Sequence, residues 1–413
     1  MKTMPGLEDT ILRLEAYCRK HQWAGIDPYD ALNSELFART PLAKSRVARL
    51  AFTQFLKRSP VNLRPLLRIQ PQQDPKAIAL FLMFYVRRAR SGDEASKTFA
   101  SHLANRLLEL RSPGTPCWCW GYSFPWQTRH RLVPQFGPNL VATTFAANAL
   151  LDAYEIGLGS EFLGPAVSAG EYIAKKLYWQ NGRQAGFAYP LPDIRVPIHN
   201  ASFLGAALLC RLARLTGDNS ALDAALRVAR YSAGSQREDG SWPYGLASTQ
   251  QWVDNFHTGY NLCALQSIGT DLGTDEFGPA LLRGLAFYRE HFVTARGAPK
   301  YFHNRTYPID IHCVAQSVIT LLTLCRFDPQ ADVLVESVVA WAMEHMWDDR
   351  GFFYYRVLRG LTIRTSYMRW SQAWMLLAMA ALSDRVDDVL RTGPRLAGGT
   401  ARSEVVQGEP RQR

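Results

Sequence analysis

The sequence predicts an all-α fold, an (α/α)6 toroid of six helical hairpins, on three observations. The apolar segments are long and Ala/Leu-rich, with few β-branched runs, and Gly, Pro, Asn and Asp bound them, as they bound helices. They come in pairs, a segment apolar nearly all round followed by an amphipathic, charged one, as an inner and an outer helix would be. The pairs also repeat. Val141, Asn200, His257, His312 and Met368 stand at equivalent points of successive inner segments, at steps of 59, 57, 55 and 56 residues. So constant a period marks a helical-hairpin repeat.

In chain order, residues 1–74 read as an N-terminal helical segment that completes or flanks the ring, with a helix at about 8–22 or 43–57. The toroid is expected over 75–385. "PKAIALFLMFYVRRAR" and "ASKTFASHLANRLLEL" make its first pair, and "NLVATTFAANALLDAYEIG" with "LGPAVSAGEYIAKKLYW" the second. "HNASFLGAALLCRLARLTGD", "FHTGYNLCALQSIG" and "IHCVAQSVITLLTLCRF" each lead a further pair, and "YMRWSQAWMLLAMAALSD" is the last inner helix. Its outer partner is then supplied by the N-terminal helix. Six hairpins close a ring, whereas an open solenoid needs more polar capping ends. Residues 386–413, rich in Gly, Arg, Gln and Glu, are expected to be a flexible tail.

Composition narrows the function classes. Of 413 residues, 47% are hydrophobic, ample for a large core, yet no apolar run reaches the length of a membrane span. The opening "MKTMPGLEDTILRLEAY" lacks the apolar core and cleavage site of a signal peptide, and the seven cysteines are odd in number and irregularly spaced. Together these point to reduced thiols and a cytoplasmic location. Lys and Arg number 47 against 36 acidic residues, for a charge of +11, but they are scattered rather than striped. That distribution argues against nucleic acid and suits either an acidic small ligand or a merely basic background. No Walker loop, strand-borne GxGxxG, HExxH or CxxC occurs, and Cys117 and Cys119 form a CxC with no second pair, so neither a cofactor nor a metal is expected.

The links that enter the inner helices are long and share Gly and aromatic residues, as in "CWCWGYSFPWQTRH", "QREDGSWPYGLASTQQWVDNFH" and "WDDRGFFYYRVLRGLTIRTSYMRW". Long loops are usually functional. "QREDGSWPYG" resembles the QW-type motif of squalene cyclases and protein prenyltransferase subunits, and "WDDRGFFYY" resembles a degenerate copy of it. The resemblance covers roughly residues 75–385 and implies the toroid shared with six-hairpin glycosidases, polysaccharide lyases and the helical domain of glucuronyl C5-epimerases. The Asp-rich acid motif of the terpene cyclases is absent, and the prenyltransferase zinc set is not evident. "PCWCWG" resembles the "WCYG" of lanthionine cyclases, without their downstream Cys-His-Gly partner.

In such a ring the links before the inner helices gather at one end. His199 and Asn200, Asp254, Asn255 and His257, Asp310 and His312, and Tyr367 and Arg369 should therefore line one cavity. Tyr260, Asn261, Gln316 and Gln372 should lie a turn deeper, since residues four apart share a helix face. Asp254 and Asn255 also suit plain N-caps. Trp118, Trp120, Trp126, Trp242 and Tyr244 suit either core or sugar-stacking platforms. His257, His312, Asp254, Asp310, Tyr260 and Tyr367 are the candidate catalytic groups, with Arg369 as a carboxylate clamp. His and Tyr bases beside an Arg fit proton abstraction next to a uronate carboxylate, as in a lyase or C5-epimerase of bacterial polysaccharide biosynthesis. The expected partner is an acidic oligosaccharide or glycan precursor. Three alternatives stand beside it. An inverting hydrolase would need paired carboxylates, here Asp254 and Asp310 with Asp193 and Asp239 in the links. The others are a non-catalytic glycan-binding scaffold and a terpenoid- or prenyl-binding toroid.

Overall fold

The computed structural model describes residues 6–392. Its helices are α1 (Leu7–Lys20), α2 (Glu35–Ala38), α3 (Arg46–Arg58), α4 (Pro75–Arg90), α5 (Glu94–Glu109), α6 (Leu140–Glu155) and α7 (Leu163–Tyr172). They continue with α8 (His199–Thr216), α9 (Leu222–Gly234), α10 (Asn255–Leu272), α11 (Gly278–Phe292), α12 (Ile311–Thr323), α13 (Ala331–Met346) and α14 (Ala373–Thr392). The even-numbered helices from α4 to α14 form the inner ring, each packed on the next, and α14 packs back on α4 to close it. Helices α5, α7, α9, α11 and α13 lie outside their partners. The inner helices are buried over most of their circumference, whereas α9 buries one stripe, Ala225, Val228, Ala229 and Ser232. Side-chain caps start four of the inner helices: Asp74 on α4, Asn139 on α6, Asp254 on α10 and Asp310 on α12 each accept first-turn N–H groups.

Helix α1 packs on α14, and three glycines show that it holds an outer position. Gly240 and Gly297, both at positive φ, sit where a Cβ would strike the carbonyls of Arg283 in α11 and Ser337 in α13. Gly351 (φ +90°) meets Arg13 of α1 in the same way. Each link glycine thus rests on the next outer helix around the ring, and after α13 that helix is α1. Only glycine combines this backbone conformation with so close an approach. Helix α3 instead contributes Leu56 to a small separate cluster with Ala31 and Ile69.

The segment between α1 and α4 is tied to the ring by buried polar bonds. Arg64 donates to Asp30 (2.7 Å), to the Asp27 carbonyl (2.7 Å) and to the Tyr367 hydroxyl (2.9 Å). The links also carry short antiparallel strands, such as Tyr178–Asn181 with Gln184–Phe187 and Arg356–Leu358 with Leu361–Ile363. No strand was expected there, because a period of two needs more residues than these to show. Helix α14 runs to Thr392, beyond the expected boundary at 385, and the rest of the expected tail lies outside the described residues. No helix among them is long and apolar enough to cross a membrane.

Candidate active site

Two cavities lie along the ring. The first, of about 400 Å³, is lined from the first turns of the inner helices: Lys76 (α4), Val141 (α6), Asn200 (α8), His257 (α10) and His312 (α12). Trp370 joins them from the π-helical turn, Met368–Gln372, that leads into α14. The second, of about 570 Å³, takes Arg87, Asp152, Arg211, Asp271 and Thr323 from nearer the C-terminal ends. Like ends on one side mean that the inner helices run in one direction. Their N-terminal dipoles converge on the first cavity and favour negative charge there.

At that end Asp254 caps α10 by accepting the His257 backbone N–H (3.0 Å), and its other oxygen lies 2.7 Å from His257 Nδ1. The Trp252 indole also donates to this oxygen (3.1 Å). The carboxylate therefore fixes the ring and leaves Nε2 of His257 for the cavity. His312 Nε2 is 2.7 Å from the Tyr260 hydroxyl, while its Nδ1 has no partner among the described residues. Burial, then the charges of Lys76 and Arg369, holds the His312 imidazole well below its usual range, so it is neutral. Phe256 packs between the two imidazoles, its centroid 4.1 Å from His257 and 4.7 Å from His312. Aromatic faces complete the wall: Tyr244 stacks on Trp252 at 4.7 Å and Tyr122 on Phe124 at 5.5 Å, with Trp126 alongside.

The structure thus gathers Asp254, His257, Tyr260, His312, Asn200, Arg369, Trp126 and Tyr244 around one cavity and sends the other candidates elsewhere. Asp310 is fully buried, binding the His312 N–H, Arg356 and the Trp370 indole. Tyr367 is buried against Arg64. His199 starts α8 one residue before Asn200 and faces away from the cavity, with neither ring nitrogen bonded. Asn255 bonds Tyr288 and Ser317, Gln372 bonds the Phe353 backbone, and Asn261 is buried off the lining. Gln316 lines the second cavity. Trp120 and Trp242 bond the carbonyls of Leu107 and Ser232 as core side chains, and Trp118 packs on Trp120 and Arg111. Arg369 does reach the cavity, but as a clamp it already holds Asp27 through two bonds of 2.8 Å.

Sequence reasoning missed Lys76, Tyr29, Tyr189 and Asp27. Lys76 is the second residue of its helix, as Val141, Asn200 and His312 are of theirs. The step from Lys76 to Val141 is 65 residues, outside the period that located the others. Tyr29 and Asp27 belong to the N-terminal segment, and no local pattern could tie Asp27 to an arginine 342 positions on. Among the described residues no group of three or more His, Cys, Asp or Glu is placed to hold a metal ion.

The fold is the (α/α)6 toroid found in a range of carbohydrate-acting proteins. The chain superposes on the cellobiose 2-epimerase of Bacillus thermoamylovorans with a TM-score of 0.58 at 13% identity, covering 77% of this chain and 90% of that one. It is similar to a GH76 α-mannanase of Bacteroides thetaiotaomicron (0.59, 14%, 78% and 89%). A polysaccharide lyase also matches (0.57, 10%, 92% and 97%). No protein-family model matches the chain, and no curated protein sequence does.

Proposed function

We propose that the protein is a carbohydrate-active enzyme that moves a proton on an acidic sugar, as an epimerase or a lyase does. The observation that carries this reading is the pair of imidazoles in one cavity, His257 held by a carboxylate and His312 kept neutral against a tyrosine hydroxyl. Removing a proton from carbon beside a carbonyl or carboxyl group needs a positioned base, and returning one needs an acid. His257, its Nδ1–H held by Asp254, offers Nε2 as base. The His312–Tyr260 pair supplies or accepts a proton from its own side of Phe256. The cavity volume suits a small saccharide, and the stacked tyrosines and tryptophans offer flat faces to pyranose rings. Solved structures similar to this one include proteins named as an epimerase and a polysaccharide lyase, alongside an α-mannanase, and the first two support this class of chemistry.

Hydrolysis fits less well. Asp254 is the only lining carboxylate among the described residues, and hydrolysis by the usual route needs two. The test is incubation in heavy water with neutral aldoses and uronate-containing oligosaccharides, followed by mass spectrometry and ultraviolet absorbance. Deuterium at the carbon beside the carbonyl or carboxyl group, or an unsaturated product, is expected. His257→Ala and His312→Ala should each lower turnover ~10²- to 10⁴-fold. Absence of exchange, unsaturation and cleavage across both panels would leave a glycan-binding scaffold as the reading.

A further inference from the structure

Lys76 lines the cavity from the first turn of α4. Its side chain is buried, yet its Nζ has no hydrogen bond or ion pair among the described residues. The two nearest carboxylates are already engaged. Asp74 accepts the backbone N–H groups of Lys76, Ala77 and Ser123 and the Ser123 hydroxyl, and Asp27 holds Arg369 and the Tyr29 N–H. Instead Lys76 Nζ lies over three rings, 4.1 Å from the centroid of Phe145, 5.2 Å from Trp374 and 5.4 Å from Tyr260. Ring faces favour its ammonium form over the free amine. Keeping that form charged without a paired anion is costly, and a protein buries such a lysine chiefly where a ligand brings the anion.

Resting on the proton-transfer reading of this cavity, we propose that Lys76 is its anion receptor, pairing with the carboxylate of a uronic acid residue while the aromatic faces hold the sugar rings. Arg369, the other basic side chain lining the cavity, already has its charge offset by Asp27, whereas Lys76 has no bonded carboxylate. Burial first and Arg369 second hold the Lys76 amine well below the ordinary lysine range, against the opposing pull of Asp74 and Asp27. His312 is neutral and the Tyr260 hydroxyl is held protonated by burial, so neither supplies a counter-charge. A carboxylate arriving beside Nζ reverses the balance. The amine then takes a proton from solvent as the ligand binds.

The experiment is calorimetric titration at pH 8 in two buffers of different ionisation enthalpy, with cellobiouronic acid and with cellobiose, which lacks its carboxylate. The wild type should take up protons with the acid and none with cellobiose. Lys76→Met keeps the buried stem and drops the charge. It should bind the acid ~30-fold or more weakly, with no proton uptake, and leave cellobiose within ~3-fold. Lys76→Arg, charged throughout, should keep the preference for the acid and lose the proton uptake, which tests the idea even if the methionine variant fails to fold. Equal affinity of the wild type for both sugars, or unchanged acid preference and uptake in Lys76→Met, would overturn the proposal. So would a borohydride-stable adduct on Lys76, which would make it a nucleophile. Proton-coupled acid binding without deuterium exchange would sink the proton-transfer reading and leave the receptor standing. Exchange without acid preference would do the reverse.

Discussion

His199 and Asn200 show how much one residue decides. An α-helix turns about 100° per residue, so although both begin α8, Asn200 faces the cavity and His199 faces the packed interior. There both imidazole nitrogens lack partners, and burial lowers the His199 pKa to about 4. The folded chain therefore binds fewer protons at this site than the unfolded chain as pH falls from the ordinary histidine value toward 4. Stability present above that window is lost through it, by about 3 kcal/mol in all. Urea denaturation at pH 7 and pH 4 should show the wild type losing about that much more than His199→Leu. Parallel losses would mean that water reaches the ring.

At the scale of elements, the start of α12 depends on Asp310. This carboxylate accepts the His312 N–H at 3.0 Å, two Arg356 bonds of 2.9 and 2.6 Å, and the Trp370 indole at 2.8 Å. It joins a helix cap, a link strand and the π turn before α14, and so places His312 and Trp370 relative to each other. Arg356→Met leaves a buried carboxylate without its counter-ion and should cost about 3–5 kcal/mol in chemical denaturation. Arg350 makes the same kind of pair with Asp348, but Arg350 is mostly exposed. Arg350→Ala should cost under about 1 kcal/mol. Equal costs would show that burial is not what gives the Asp310 pair its importance. The sequence marks Asp310 as a candidate catalyst. Arg356, arriving from a link 46 positions on, makes it structural.

For the whole molecule, the outer layer of the ring is completed by α1, which fills the position beside α14 from the opposite end of the chain. Its inward face carries Ile11, Leu14 and Cys18, all fully buried, while Leu12 is exposed. Leu14→Ala should lower stability by about 2–5 kcal/mol, as in any well-packed core. Leu12→Ala, a change of the same atoms on the same helix, should stay within about 0.5 kcal/mol. Thermal or urea unfolding measures both, and a small cost for Leu14 would mean that the ring stands without its N-terminal helix.

The sequence by itself determined the ring: helix periodicity, inner and outer alternation and the repeat step are local or regularly spaced signals, and burial of each apolar face leaves few other ways to pack them. It also brought Asp254, His257, Tyr260 and His312 to attention, because residues near the starts of repeated helices share a place by symmetry. The tertiary structure decided which of the candidates face the cavity and which are already spoken for. Asp27 occupies Arg369, Arg356 occupies Asp310, Arg64 occupies Tyr367, and Lys76 enters from a helix whose link breaks the period. Those outcomes turn on helix rotation and on pairings between distant segments. A side chain's partner is fixed by where the chain returns in space, and no local pattern records that.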